Sequence, residues 1–315
     1  MREKKNFAER TNALENAEIK KKYFLVYEGE ETEQIYFDAI NANKGRLKIN
    51  PLIELVPIIR SYSERGWSNP KKILDRVLFN LKEEKNNQIS YETLLNWIME
   101  YLLDTLNISS RNTIAKSYWS ILRDICSKDL CVQLLNIVPN VNSTCQDILQ
   151  KFIEKEQIEC NLDNAAKMIR KHAISYEEGF DKICFIIDRD RNSFVSHPDN
   201  DQYSYVLNQC RKNGFGFYLT NPCFEFWLLL HFDQVMSIDK KMLLENKKGK
   251  GNRSFTENEL RKLIPGYDKS KYNAYDLLNR IDVAIKNEKN FCENEVELER
   301  TLGSRVGLLI EEMRN

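Results

Sequence analysis

The sequence predicts an α/β fold: a parallel sheet flanked by helices, with a large helical insertion. Three observations predict it. The runs Tyr23–Tyr27 and Ile183–Ile187 are apolar without polar alternation, as strands buried on both faces require. Each run stops abruptly at acid, Glu28-Gly29 in one case and Asp188-Arg189-Asp190 in the other. Residues 68–179, between the second strand and the third, carry apolar residues at helical spacing and no strand-like run.

The elements follow in order. Residues 1–22 are polar and mildly basic and read as an N-terminal arm. After the first strand, Thr32 is placed to cap a helix carrying Ile35, Tyr36, Phe37 and Ile40. Leu52–Ile59 reads as a second strand, with Pro57 setting its end at a sheet edge or bend. Helical patterns then cover Pro70–Glu84, Tyr91–Leu106, Thr113–Cys126 and Ala165–His172, separated by Asn- and Ser-containing loops. The sheet resumes at Lys182–Ile187, followed by a polar loop over 191–202 and a helix over Tyr203–Lys212. Gly216–Thr220 is a further strand ending at Asn221-Pro222. Cys223–Phe232 is apolar almost all round and reads as a buried helix. A Lys- and Gly-rich stretch spans 239–253, and helices over 257–263, 272–287 and 301–313 close the chain. The resulting organisation is an arm at 1–22, an α/β domain from 23–67 and 180–315, and a helical insertion at 68–179.

Composition narrows the function classes. The 315 residues are 42% hydrophobic and 30% charged, with zero formal net charge, so a polyanion would have to be met by a local patch. No apolar stretch approaches the roughly 20 residues of a membrane span, and the N-terminus lacks an apolar signal core. The eight cysteines form no CxxC pair, and Cys184 and Cys223 read as buried thiols. A reduced, cytoplasmic protein without a zinc site is expected. No G-x-S-x-G elbow, Walker A loop or GxGxxG turn is present.

Ligands of parallel sheets bind at the C-terminal ends of the strands, where Glu28, Asp188 and Asp190 are expected. Two carboxylates at i and i+2 can converge on one hard cation, and a third from a neighbouring strand completes an oxygen set for Mg²⁺ or Mn²⁺. Glu28 would either ligate the metal or handle a proton beside it. Glu30, Glu31 and Glu33 also fit a solvated helix start favoured by the helix dipole. The basic loop Lys247–Arg253 offers Lys248, Lys250 and Arg253 as contacts to a phosphate backbone, with glycines permitting close approach. A mobile, solvated loop is the competing reading.

These motifs together resemble the Toprim domain, and more closely the RloB-like family within the Toprim-like group, related to OLD nucleases. The likeness rests on Tyr27-Glu28-Gly29 with Thr32-Glu33 and Tyr36-Phe37, on Ile187-Asp188-Arg189-Asp190, on the run Asn221-Pro222-Cys223-Phe224-Glu225-Phe226-Trp227 through Phe232, and on Tyr267-Asp268-Lys269. It spans 20–60 and 180–310, and the stretch from about 68 to 175 is longer than the family pattern. The resemblance places Glu225 beside the metal site. A carboxylate sharing a helix face with Leu228, Leu229 and Phe232 must be paired with a lysine, a backbone cluster or the cation. The alternative for Glu225 is a satisfied core carboxylate. The same likeness makes Lys269 the better single candidate for a phosphate contact. His231 and Trp227 read as core residues, and Asn221 as a cap for the helix that follows.

The resemblance implies a metal-dependent nuclease or phosphodiesterase acting on DNA or RNA. It would serve as an abortive-infection effector in bacterial anti-phage defence, paired with an ABC-type ATPase. The alternative is a non-catalytic binding module that docks on that ATPase or senses a phage component. A membrane role is not expected, and homo-oligomerisation is compatible with the sequence. Primase-like nucleotidyl transfer shares the acids but has no nucleotide-binding element in this sequence.

Overall fold

A computed structural model describes residues 20–29, 31–58, 61–64, 69–86, 88–109, 112–157, 176–190, 194, 196–197 and 200–315. The N-terminal arm up to residue 19, Glu30 and the helix expected at Ala165–His172 lie outside the described residues.

The core is a five-stranded sheet of β1 (Lys21–Tyr27), β2 (Ile53–Pro57), β3 (Lys182–Asp188), β4 (Gly216–Asn221) and β5 (Gly303–Ser304), in spatial order β2-β1-β3-β4-β5. The first four strands are parallel, and β5 runs antiparallel to β4. This mixed α/β arrangement is the one the sequence predicts and is consistent with a Toprim-like fold. β3 and β4 are buried almost throughout, which explains their unbroken apolar runs. β2 is an edge strand, and Pro57 closes it where a missing N–H costs least.

Helices make up most of the rest of the described chain. The early ones are α1 (Thr32–Ala42), α2 (Pro70–Asn86), α3 (Tyr91–Thr105), α4 (Thr113–Asp124) and α5 (Val141–Glu156). After β3 come α6 (Gln202–Asn213), α7 (Phe224–Leu229), α8 (Lys240–Glu245), α9 (Phe255–Leu263), α10 (Ala274–Leu278), α11 (Ile281–Glu288) and α12 (Val306–Arg314). Asp201 caps α6 by accepting the Ser204 N–H at 3.0 Å, and Gly214 ends it with a left-handed φ of 69°. Trp227 is fully buried in the core that includes the sheet, with Tyr36 edge-on at 6.2 Å and His231 at 5.2 Å.

The chain divides into two compact units. One holds the sheet, with the described residues up to Ile58, 69–73 and Glu177–Asn315. The other holds 61–64, 74–157 and Tyr176, with its own core of Leu94, Ile98, Leu102, Leu122, Ile148 and Phe152. Within it, Arg76 bridges Glu64 at 3.2 Å and Glu92 at 2.9 Å.

Several expectations need correction. The helix expected over 301–313 begins only at Val306, because Gly303–Ser304 pairs with Thr220 and Asn221. The single helix over 272–287 is two, broken at Asn279-Arg280. The helix begun at Cys223 stops at Leu229 and passes into tight turns, although every residue to His231 stays buried. The loop over 191–202 contains a two-residue antiparallel pair, Ser196–His197 with Asn200–Asp201. Thr32 is not a cap. It is the first helical residue, and its hydroxyl donates to the Lys269 carbonyl at 3.1 Å.

Candidate metal centre

β1 and β3 lie side by side, with Tyr27 opposite Ile186, so Glu28 and Asp188 emerge together at the C-terminal edge of the sheet. The Glu28 carboxylate accepts the Asp188 backbone N–H at 3.0 Å, which ties the two strand ends to each other. Glu28 is buried at 8% exposure.

Glu33 joins them from the first turn of α1. It is 3% exposed, and its carboxylate accepts the Gly29 N–H at 3.1 Å. This corrects the reading of Glu33 as part of a solvated helix start. The glycine of the Glu-Gly pair is explained by the same contact: a Cβ on residue 29 would lie 2.3 Å from a Glu33 carboxylate oxygen.

Glu225 enters from the second position of α7 at 2% exposure, and Lys269 Nζ meets its carboxylate at 2.6 Å. Lysine is thus the partner that the apolar neighbourhood of Glu225 demands. The Lys269 backbone is held by Thr32, while the Tyr272 hydroxyl donates to the Thr32 carbonyl at 2.8 Å. Two bonds therefore staple the 267–272 segment to the start of α1. Cys223, also buried, borders the cluster.

The electrostatics follow from this crowding. Burial, then the charges of Glu33, Glu28 and Glu225, push the Asp188 carboxyl well above the usual carboxylate range, with Lys269 opposing them. Burial raises Glu33 too, and Glu225 adds to it, against the backbone N–H groups at the helix start. The Cys223 thiol is pushed up by burial and by Glu225 and Asp188. Burial works against the ammonium of Lys269, but Glu225 and then Cys223 outweigh it and hold the charged form above the ordinary lysine range.

Asp190 follows Asp188 by two residues. It is exposed, beyond a buried Arg189, and its carbonyl accepts the Phe194 N–H at 2.8 Å. Arg189 turns to the opposite face of the sheet. Its guanidinium lies against the Phe194 and Tyr203 rings and donates to the carbonyls of Phe194 at 2.7 Å and Glu299 at 3.1 Å. The middle residue of Asp-Arg-Asp is thus an anchor, which nothing in the motif itself signals.

Asn221 does not cap α7. Its amide donates to the Leu298 carbonyl at 2.7 Å, and Cys223 holds the cap position without a side-chain bond. His231 is a core residue as expected: Nδ1 faces the carbonyls of Trp227 and Leu228 at 3.1 and 3.2 Å. The proton therefore belongs on Nδ1, and Nε2 accepts from the Tyr36 hydroxyl at 2.9 Å.

The basic loop is rooted beside the acids. Asn246, at its base, donates to Cys223 Sγ at 3.4 Å and accepts the Thr256 N–H at 2.9 Å. Lys248 is exposed, and Arg253 pairs with Glu257 at 3.4 Å. The side chain of Lys250 lies outside the described residues.

Among the described residues, no three His, Cys, Asp or Glu side chains stand together at metal-holding spacing. The donor chemistry nonetheless fits a hard cation. Glu28, Glu33, Asp188 and Glu225 offer only oxygen donors, the type a hard cation takes, and burial together with the neighbouring acids raises Asp188.

A mostly parallel α/β sheet with a buried carboxylate cluster at its strand ends is the class of protein these observations define. The sequence model of the RloB-like protein family matches residues 115–313, and the chain belongs to that family. The match takes in β3, β4, α7 and the Tyr267–Lys269 segment. It also includes the later part of the helical unit, so that part is not simply an addition to the family pattern. β1 and Glu28 lie outside the matched span. No curated protein and no solved structure matches the chain. Among the described residues, no helix is long and apolar enough to cross a membrane.

Proposed function

We propose that this chain is a divalent-metal-dependent phosphodiesterase that cleaves DNA or RNA. The observation that carries the reading is the convergence of Glu28, Glu33, Asp188 and Glu225, with Lys269 among them, at the C-terminal edge of a parallel sheet. Asp188 and Glu28, with Asp190 at the mouth, would hold Mg²⁺ or Mn²⁺. When bound, the cation would neutralise charge on the scissile phosphate and lower the pKa of an attacking water.

The chain's own groups divide the remaining work. Glu28, oriented by the Asp188 N–H, would either ligate the cation or take up a proton beside it. Lys269 and the loop segment that carries Lys248, Lys250 and Arg253 would contact the nucleic-acid backbone. Family membership supports a wider role as a cytoplasmic effector of bacterial anti-phage defence, acting with an ABC-type ATPase.

The test is cleavage of single- and double-stranded DNA and RNA by purified protein, with and without the ATPase, beside an Asp188→Ala variant. Metal-dependent cleavage that the variant lacks is expected. Equal cleavage by both proteins would sink the reading.

One observation favours the second reading, a binding module. The helical unit carries a pocket of about 470 Å³ lined by Ser120, Arg123, Asp124, Val132 and Leu134 among others. Leu135 and Ile137 nearby in sequence are exposed apolar residues. Such a surface suits docking on the ATPase or a phage component. A folded protein with no affinity for Mg²⁺ or Mn²⁺ would favour it.

A further inference from the structure

The segment bonded to Thr32 continues past Lys269 into a ridge that mixes basic and aromatic residues: Lys269-Ser270-Lys271-Tyr272-Asn273-Ala274-Tyr275. Tyr275 is 52% exposed, and it is the only exposed aromatic residue among the described residues. Its position is fixed from beneath. Ala274, Leu277 and Leu278 of α10 lie in the core that includes the sheet, and the Asn273 side chain accepts the Tyr275 N–H at 3.2 Å. The turn before it is closed by the Lys271 N–H, which donates to the Asp268 carbonyl at 3.0 Å, and Arg261 donates to the Tyr267 carbonyl. Lys269 is half exposed and Lys271 is exposed. The two acids of the ridge are engaged locally. Asp268 accepts the Ser270 hydroxyl at 2.7 Å and its N–H at 3.0 Å, and Asp276 accepts the Asn273 amide at 2.8 Å. Six residues of chain put Tyr275 no more than about 22 Å from Lys269.

We propose that this ridge binds single-stranded nucleic acid, with an unpaired base stacked on the Tyr275 ring and the flanking phosphates met by Lys271 and Lys269. A base inside a duplex is already stacked on its neighbours and offers its face to no side chain. A solvent-facing ring on a firm base therefore selects unpaired strands, and it does so without regard to sequence, because every base has a π-face. The two lysines supply the backbone contacts that hold such a strand against the ring. The inference rests on the nucleic-acid reading given above and names the strand state of that substrate. It is independent of whether a cation is bound.

The experiment measures binding of the full chain to labelled single-stranded DNA, single-stranded RNA and the matching duplexes by fluorescence anisotropy. It is run at several salt concentrations, in EDTA and again in Ca²⁺, for wild type, Tyr275→Ala, Tyr275→Phe and Lys271→Ala. Tyr275→Ala is expected to weaken single-strand binding roughly tenfold, the scale of one base stacked on an aromatic ring. Its duplex affinity and its salt slope should match those of wild type. Tyr275→Phe keeps the ring and should bind single strands as wild type does. Lys271→Ala should lower the magnitude of the salt slope by about one on single strands. The DNA and RNA arms report which sugar the ridge prefers. Single-strand affinity that is unchanged in Tyr275→Ala, an equal loss on duplex, or an unchanged salt slope in Lys271→Ala overturns the ridge and leaves the nucleic-acid reading standing. No binding of any nucleic acid by wild type in either buffer overturns both.

Discussion

Glu33 and Gly29 share one small volume: the glutamate carboxylate accepts the glycine N–H at 3.1 Å and fills the space that a Cβ on residue 29 would need. The Glu28-Gly29 pair is therefore a positioning device for a second acid, as well as the end of a strand. Gly29→Ala should destabilise the protein by about 1–3 kcal/mol, the usual range for forced overpacking. The cost should largely vanish in a Glu33→Ala background, because the clash has a single named partner. Chemical unfolding of the two single variants and the double variant checks this.

Asp188 gives a pH dependence of defined sign. Its folded carboxyl titrates above the ordinary 3.8, so the native state binds more protons between that value and the raised one. Stability contributed at this site therefore falls as pH rises through that window. In EDTA, Asp188→Asn should raise the unfolding temperature at pH 7 to 8, and the gain should disappear as pH approaches 3.8. Metal-dependent cleavage, where wild type shows it, should be abolished by the same change. A variant less stable than wild type at pH 8 would contradict the crowding of charge described here.

His231 and Glu288 predict opposite slopes. Burial lowers His231 from 6.5 to about 4, so the unfolded chain takes up the proton first and stability is lost as pH falls between these values. The full effect is about 3 kcal/mol. Burial raises Glu288 from 4.5 to about 7, so its contribution is lost as pH rises through that window. Its carboxylate accepts the Gly307 N–H at 3.0 Å at the start of α12, a bond that glutamine can keep. Stability curves of His231→Gln and Glu288→Gln against pH should lose the acid-side and the neutral-side slope, respectively.

Lys248 is exposed in the loop rooted at Cys223, while Arg253 already engages Glu257. Lys248→Ala should reduce nucleic-acid affinity and lower the magnitude of the salt slope by about one, the effect of one lost phosphate contact. Arg253→Ala should change it less. Fluorescence anisotropy at several salt concentrations measures both.

Much of this architecture can be read from the chain. β1, β3 and β4 are buried on both faces, so their composition alone marks them, and parallel pairing brings Glu28 and Asp188 to one edge. Glu225 betrays itself as an acid on an apolar helix. Other parts depend on partners remote in sequence. An acid in the first turn of a helix is ordinarily solvated, whereas Glu33 is 3% exposed and bonded to the Gly29 N–H. Arg189 is exposed by residue type and buried by the rings of Phe194 and Tyr203. β5 has two residues and no local signature. Helix α5 was within reach: Cys145, Ile148, Leu149 and Phe152 fall at helical spacing, after Asn140, whose side chain accepts the Ser143 N–H.

On the reading proposed above, a divalent cation sits at the strand ends. Anomalous diffraction from crystals soaked in Mn²⁺ tests it most directly. An anomalous peak is expected within ligand reach of Asp188, about 2.0–2.3 Å for a hard cation on oxygen, shared with Glu28, Glu33, Asp190 or Glu225. Saturating Mn²⁺ with no peak at these carboxylates would contradict it.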